Sequence, residues 1–393
     1  MKNIRISTAF WTLLVLFLAI SCQKVSIDHT SPCTYQATNQ HPNAQKYQAV
    51  IDKYVAKGLP GIVALVRDSN GVWAGAAGQA DITQNVGMSP CVVSKAASLT
   101  KTFVGTLALK LVEEGKFSLD DPLPKWISTE VLDNVKNVRE STVRQLLNHT
   151  TGIADVISDN SFYLSVLNDP ARHWKPDELI KFVYGDEPLF APGKGISYSN
   201  TNFLLLAMVI EKATGQDHSK LLREKILEPL QLHDTYYYWH DNLPTDVAQG
   251  YFDLYNNKTI INVTNYNTGS GNGYGGVYST VFDLQAFLEA LVRERRILTP
   301  AMMDQMLTFT DEEEDTNRGN GLGIVKDYLD HGTDFSYGHR GRDLGYTADM
   351  NWFPNKDRTL VYLINYGTDG NSSLRQTFYD FRLEMADTVL GRR

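Results

Sequence analysis

Strand-like sequence lies near both ends of this 393-residue chain, and helix-like sequence fills the stretch between. Near the start, Pro60 to Val66 and Val72 to Ala77 are apolar runs separated by Asp68-Ser69-Asn70-Gly71. Asn-Gly between two such runs is a hairpin signal. Near the end, Gly321 to Val325, Phe335 to Gly338, Thr347 to Phe353 and Thr359 to Asn365 read as strands, with Asn355-Lys356-Asp357 turning between the last two. Helical patterns flank these runs. Tyr47, Val50, Ile51, Tyr54 and Val55 share one side of a segment that ends at Gly58, and a last helix spans about 372–390. This order predicts an α/β (α+β) protein of two lobes. One lobe is an antiparallel sheet flanked by the terminal helices, about 44–125 and 275–390. The other is an inserted, mostly helical lobe, about 126–274.

The first 21 residues stand outside that fold. Lys2 and Arg5 precede an apolar stretch, Phe10 to Ile20, which is short for a membrane span. Leu18-Ala19-Ile20-Ser21-Cys22 resembles a bacterial lipobox, which implies cleavage before Cys22 and a lipid on that cysteine. An ordinary secretory signal is the alternative. Residues 22–43 are polar and read as a tether to a domain at 44–390. The chain is thus expected to be exported, held to a membrane by its lipid and facing the periplasm. Export permits a disulfide. Cys33 and Cys91 are the two remaining cysteines, either bridged or free thiols. Net charge is −8, with no basic patch of the kind nucleic acid requires.

Ser98-Leu99-Thr100-Lys101 opens a helical period carried by Phe103, Leu107 and Leu111. Residues three apart share a helix face, so hydroxyl and amine can meet. Serine is a weak nucleophile until a neighbour takes its proton, and a desolvated lysine can do so. The motif alone is worth little. With 22 Ser and 20 Lys in the chain, about one match is expected by chance. The second match, Ser21 to Lys24, straddles the export signal. Two further sites follow Ser98 in order: Tyr198-Ser199-Asn200, and His339-Arg340-Gly341.

This ordered set resembles the serine hydrolases that include class C β-lactamases, serine D,D-carboxypeptidases (penicillin-binding proteins) and related esterases. Those proteins share S-x-x-K, then Y-x-N, then K/H/W-x-G. Leu146-Leu147-Asn148-His149-Thr150-Thr151-Gly152 and Gly275-Gly276-Val277-Tyr278-Ser279-Thr280 also resemble words of that family. The resemblance covers about 46–390 and implies a β-lactamase/transpeptidase-like fold. It implies Ser98 as nucleophile, with Lys101 and Tyr198 jointly moving protons. It also implies Asn200, His339, Arg340, Gly341 and Arg342 at the substrate, and the N–H groups of Ser98 and Arg342 as an oxyanion hole. A phenol titrates near pH 10 unless cations lower it, so Tyr198 is expected to be lowered by Lys101 and His339. Arg340 could grip a carboxylate bidentately or fill the pocket. Gly341 is expected to let substrate backbone approach the strand.

Other signals are weaker. Gly271-Asn272-Gly273-Tyr274-Gly275-Gly276 fits G-x-G-x-x-G without the context of a dinucleotide site, and reads as a flexible loop. Asp311 to Asp315 reads as a solvated acidic loop. The nine histidines show no zinc spacing, and His149 reads as a turn residue. No metal or organic cofactor is expected. The expected activity is cleavage of an amide or ester through a Ser98 acyl-enzyme, D,D-peptidase- or β-lactamase-like. A small-ester hydrolase or D-amino-acid amidase is the alternative within the family, and a catalytically silent, ligand-binding lipoprotein the alternative outside it. The expected partners are a small-molecule or peptide substrate, with cell-wall peptide and β-lactams as candidates, and the membrane.

Overall fold

The computed structural model describes residues 33, 35, 41–310 and 318–392. The expected export signal, Cys22, most of the expected tether and the acidic run 311–315 lie outside the described residues. The strands are β1 Gly61–Asp68, β2 Gly71–Asp81, β3 Val86–Gly87, β4 Ser94–Ala97, β5 Tyr236–Tyr237, β6 Tyr251–Phe252, β7 Ile261–Asn262, β8 Val277–Ser279, β9 Arg318–Asn320, β10 Val325–Asp327, β11 Ser336–Asp343, β12 Tyr346–Phe353 and β13 Arg358–Ile364. Among the described residues eight of them form one sheet in the order β3-β2-β1-β13-β12-β11-β10-β9. Both ends of the chain meet at its centre, where β1 pairs antiparallel with β13.

The central strands are apolar on both faces because both faces are covered. Ile62, Ala64 and Val66 of β1, with Leu360, Tyr362 and Ile364 of β13, pack against the terminal helices Ala44–Ala56 and Arg375–Leu390. The alternate residues Val63, Leu65, Val361 and Leu363 face the other core, which contains Phe103, Leu107 and Leu111 of helix Thr100–Glu113. A period of two thus assigns each residue to a layer. Cys33 and Cys91 are joined by a disulfide. Nearby, the Tyr35 hydroxyl accepts the Ala74 N–H at 2.8 Å.

Three details differ from the sequence reading. Gly321 to Ile324 is the turn between β9 and β10. Gly323 there, at φ +75°, lies against the backbone of Gly105, where a Cβ on either residue would stand about 3 Å from the other's Cα. β11 runs on to Asp343 and so carries the whole His339-Arg340-Gly341 motif. A second sheet, β4-β8-β5, draws one strand from the stretch expected to be helical, and β4 leads directly into Ser98.

On the terminal-helix side, five charges close a buried network. Arg340 Nε and Nη2 donate to the two oxygens of Asp327 at 2.6 and 2.5 Å. Arg382 of the last helix donates to Asp327 at 2.6 Å and to Asp349 at 2.9 Å. Arg342 Nη1 donates to Asp349 at 2.6 Å. Burial opposes ionisation of Asp349, but Arg342 and Arg382 hold its carboxyl below the usual range. Removing one partner from such a network strands the others. Arg382→Ala is therefore expected to lower stability by about 3–5 kcal/mol, read as a fall in Tm and in the denaturant midpoint.

Candidate active site

Ser98 stands where β4 breaks into helix Thr100–Glu113. Ala97 makes the corner at φ +50°, a left-handed conformation that costs an alanine free energy and is held by its surroundings. The Thr100 hydroxyl donates to Ala97 O at 2.7 Å and accepts the Val277 N–H at 3.0 Å, which stitches the corner to β8. One turn on, Lys101 is fully buried, and its Nζ lies 3.1 Å from Ser98 Oγ. The same nitrogen donates to Asn200 Oδ1 and to the carbonyl of Tyr274, each at 2.7 Å. Burial pushes the amine down to about 7, against the opposing pull of Asp155 and then Asp343.

Asn200 is the first residue of helix Asn200–Thr214, after the N-cap residue Ser199. Its side chain faces Lys101, so it does not serve as a cap. The helix N-terminus is instead met by Asp155, which accepts the Asn200 N–H at 3.0 Å with Oδ1 and the Asn200 amide at 3.0 Å with Oδ2. Tyr198 lies between the rings of His149 and His339, with centroids 4.5 and 6.2 Å away. Its phenol departs from expectation. Burial raises it, and a hydrogen bond with Ser98 and the charge of Arg318 only partly oppose that. The phenol is thus not lowered toward neutrality as expected, whereas the Lys101 amine is. His149, at φ +61°, accepts the Ser199 N–H at Nδ1 and holds this loop.

The third motif is corrected most. His339 donates from Nδ1 to the carbonyl of Arg340 at 2.6 Å, and burial with the Lys101 charge pushes it to about 3, so it is neutral. It cannot act as the cation expected beside Tyr198. In a strand, alternate residues face opposite sides. Arg340 and Arg342 send their guanidinium groups to Asp327 and Asp349, and Arg342 also lies 4.5 Å over the Phe378 ring of the last helix. Arg340 thus spends its Nε and one Nη on Asp327, and Arg342 one Nη on Asp349, while both residues still border the cavity. Gly341 serves the protein's own packing: a Cβ there would stand 2.4 Å from Ala96 O, beside the nucleophile's strand. β11 and β12 meet in a two-residue hairpin, Asp343 opposite Tyr346. Alternation along the ladder then turns the N–H of Arg342 to the open edge, where an oxyanion could receive it together with that of Ser98.

These groups border a cavity of about 630 Å³. Ile157, Tyr163, Leu167, Phe252, Leu254 and Tyr379 supply apolar wall, and Asp155, Asp343, Asp369, Arg318, Arg340 and Arg342 supply charge. Asp155, Tyr274 and Arg318 escaped the sequence reading. Asp155 lies three residues beyond Gly152, and nothing in the sequence separates it from Asp159. Tyr274 contributes a carbonyl, which no side-chain pattern reports. Its glycine-rich stretch is buried rather than flexible: a Cβ on Gly273 would stand 2.4 Å from Phe203 O. Away from the cavity, Glu211, Asp217 and His218 are the one group among the described residues that brings three potential metal ligands within 4.8 Å of one another. They already serve each other and the fold. His218 bonds Glu211 at 2.6 Å and Tyr237 at 3.1 Å, and Asp217 caps the Ser219 N–H.

With the geometry in place, comparison with known proteins is informative. Residues 47–381 match the Beta-lactamase family. Protein flp of Staphylococcus aureus (strain MRSA252) is 28% identical over 226 residues, which is 57% of this chain and 44% of that protein. The match thus spans less than half the length of that curated relative. Two solved structures align over nearly their whole length. A D-stereospecific amidohydrolase from Streptomyces sp. is 32% identical with a TM-score of 0.76, over 86% of this chain and 98% of the other. The D-amino acid amidase of Ochrobactrum anthropi SV3, complexed with D-phenylalanine, is 25% identical with a TM-score of 0.77, over 89% and 99%.

The contact of Gly341 with Ala96 is testable. Gly341→Val should push β11 off β4, reduce covalent labelling of Ser98 by a fluorophosphonate about 100-fold, and leave the far-ultraviolet circular dichroism spectrum unchanged. Labelling at the wild-type rate would refute the packing role.

Proposed function

We propose, on the premise that the chain belongs to the Beta-lactamase family, that it hydrolyses a carboxylic amide or ester through an acyl-enzyme on Ser98. The observation that carries this reading is the environment of Lys101 Nζ. A neutral amine has two N–H groups and one lone pair. Asn200 Oδ1 and Tyr274 O, each at 2.7 Å, take both hydrogens, which leaves the lone pair for the Ser98 hydroxyl at 3.1 Å. Lys101 removes that proton as Oγ bonds to the carbonyl carbon. The oxygen that becomes negative is received by the N–H groups of Ser98 and Arg342. When the tetrahedral intermediate collapses, the bond to the leaving amine or alcohol breaks. That group is protonated by the Tyr198 phenol, which regains a proton from the Lys101 ammonium. Water then attacks the acyl carbon, with Lys101 again as base, and releases the acid and Ser98.

Within this class, small amides of apolar D-amino acids are the favoured substrates. The Arg340 guanidinium expected to hold a peptide carboxylate is paired with Asp327, and apolar side chains supply much of the cavity wall. The Streptomyces and Ochrobactrum enzymes, named for D-stereospecific amide hydrolysis, support the same reading. Cleavage of cell-wall peptide or β-lactams is the second reading. Residues 1–22 and the disulfide, which persists in oxidising compartments, support an exported protein lipidated at Cys22 and facing the periplasm. Cys22→Ser should then move the protein from the membrane to the soluble fraction of cells; retention in the membrane would refute the anchor.

Two measurements test the chemistry. D-phenylalanine amide should release ammonia with a kcat/KM at least about 10-fold above that for its L-isomer and for acyl-D-alanyl-D-alanine, and Ser98→Ala should abolish it. Faster cleavage of the dipeptide would favour the second reading. The rate of fluorophosphonate labelling should rise with pH through about 7, where Lys101 loses its proton, and level off above. A limb near 10 would indicate that Tyr198 is the base.

A further inference from the structure

Three candidates outside the described chemistry stand out. The Glu211-Asp217-His218 group is satisfied within itself, and the exposed leucines of helix Asn160–Asn168 have nothing to say what would cover them. Asp155 is different. It lines the cavity and bonds Asn200, one of the two groups that accept from Lys101.

A primary amide is ambiguous: either end can face a neighbour. At Asn200 the ambiguity is removed by Asp155, whose Oδ2 accepts from Nδ2 at 3.0 Å, so that Oδ1 must face Lys101 Nζ. Asp155 Oδ1 meanwhile accepts the backbone N–H groups of Asn200 at 3.0 Å and of Ile157 at 3.3 Å. All three bonds bring hydrogens to Asp155. A carboxylate accepts at both oxygens, whereas a carboxamide accepts at one. Asparagine at 155 would therefore turn a donor either to two backbone N–H groups or to the Asn200 amide. The second clash is relieved by rotating Asn200, which presents N–H groups to Lys101 in place of an acceptor.

We propose that Asp155 is the positioning residue of this site, orienting the Asn200 carbonyl on Lys101 and presenting a carboxylate charge to the buried amine. The proposal rests on the acyl-enzyme reading and deepens it. The groups around Lys101 come from every packed element. Asp155 follows the Gly152 turn, and Asp343 ends β11 with its own partner Lys95 at 2.7 Å. His149 and His339 face the amine and are both neutral, Tyr198 and Tyr274 present rings at 4.8 and 5.7 Å, and Arg318 lies over Tyr198. Of the two carboxylates, Asp155 exerts the larger pull. Burial raises Asp155 itself, while its N–H donors and the Lys101 charge favour the ionised form. The sign follows. Loss of the Asp155 charge lowers Lys101 further, so the amine is free base at lower pH.

The test is the pH dependence of fluorophosphonate labelling in the full-length protein carrying Asp155→Asn or Asp155→Glu. D155N should move the acid limb down by about one pH unit or more and cut the plateau rate at least about 10-fold. D155E keeps the charge and displaces the oxygens by one methylene. It should cut the plateau while leaving the limb near 7, and it carries the test where D155N does not fold. A D155N limb that stays in place, or a D155E limb that falls, overturns the proposal even if both rates drop, because a merely structural role would lower rate without moving the limb. A wild type that does not label at all overturns the acyl-enzyme reading and this proposal together.

Discussion

The rest of the site depends on a buried primary amine with its hydrogens already assigned. Placing Lys101 out of water disfavours its charge, and the protein compensates with two carbonyl oxygens and two carboxylates at a distance. The result is neither a permanently charged lysine nor an inert one, but a base that titrates near neutrality. No single element could build this. The amine comes from helix Thr100–Glu113, one acceptor from the start of helix Asn200–Thr214, the other from the buried glycine-rich loop, and the third neighbour is the hydroxyl it must deprotonate. The cavity is where these four meet.

The packing around that cleft has the same logic. Close backbone contacts hold the nucleophile's surroundings: Gly105 against Gly323 on one side of the helix, Gly341 against Ala96 beside the corner. Each sets a spacing that any side chain would widen. Behind the sheet, the chain of Arg340, Asp327, Arg382, Asp349 and Arg342 ties three adjacent strands to the last helix. The strand that offers His339 and the Arg342 N–H to the cleft is thereby anchored from the far side. The terminal helix, remote from the chemistry, fixes the edge on which an oxyanion would form.

The sequence carried the central hairpin, the sheet flanked by terminal helices and the Ser98–Lys101 pair, because each depends on local spacing or on short ordered words. What it hid depends on directions and solvation. The roles of Arg340 and Arg342 follow from strand alternation, which could have been applied once His339 was taken to face the cleft; the boundary placed at Gly338 concealed it. The Tyr198 phenol was expected to be lowered by cations, but one of those cations is a neutral histidine and water is excluded from the ring. Gly341 was read as room for substrate, when the room is filled by the chain's own carbonyl. Asp155 and the Tyr274 carbonyl leave no pattern at all, since a hydrogen-bond acceptor is defined by where the backbone brings it.

The neutral His339 also explains how Lys101 can hold its intermediate strength. Lysine is one of the residues that the resembling family carries at this position of the third motif. A second ammonium there would face Lys101 across a poorly screened cavity, and the two charges would disfavour each other. His339 feels that repulsion already, since the Lys101 charge helps to push it to about 3. With no charge returned, the balance at Lys101 is left to burial on one side and to Asp155 and Asp343 on the other. The substitution makes the cleft less attractive to an anionic substrate tail. In exchange, the strength of the base is governed by burial and two fixed carboxylates.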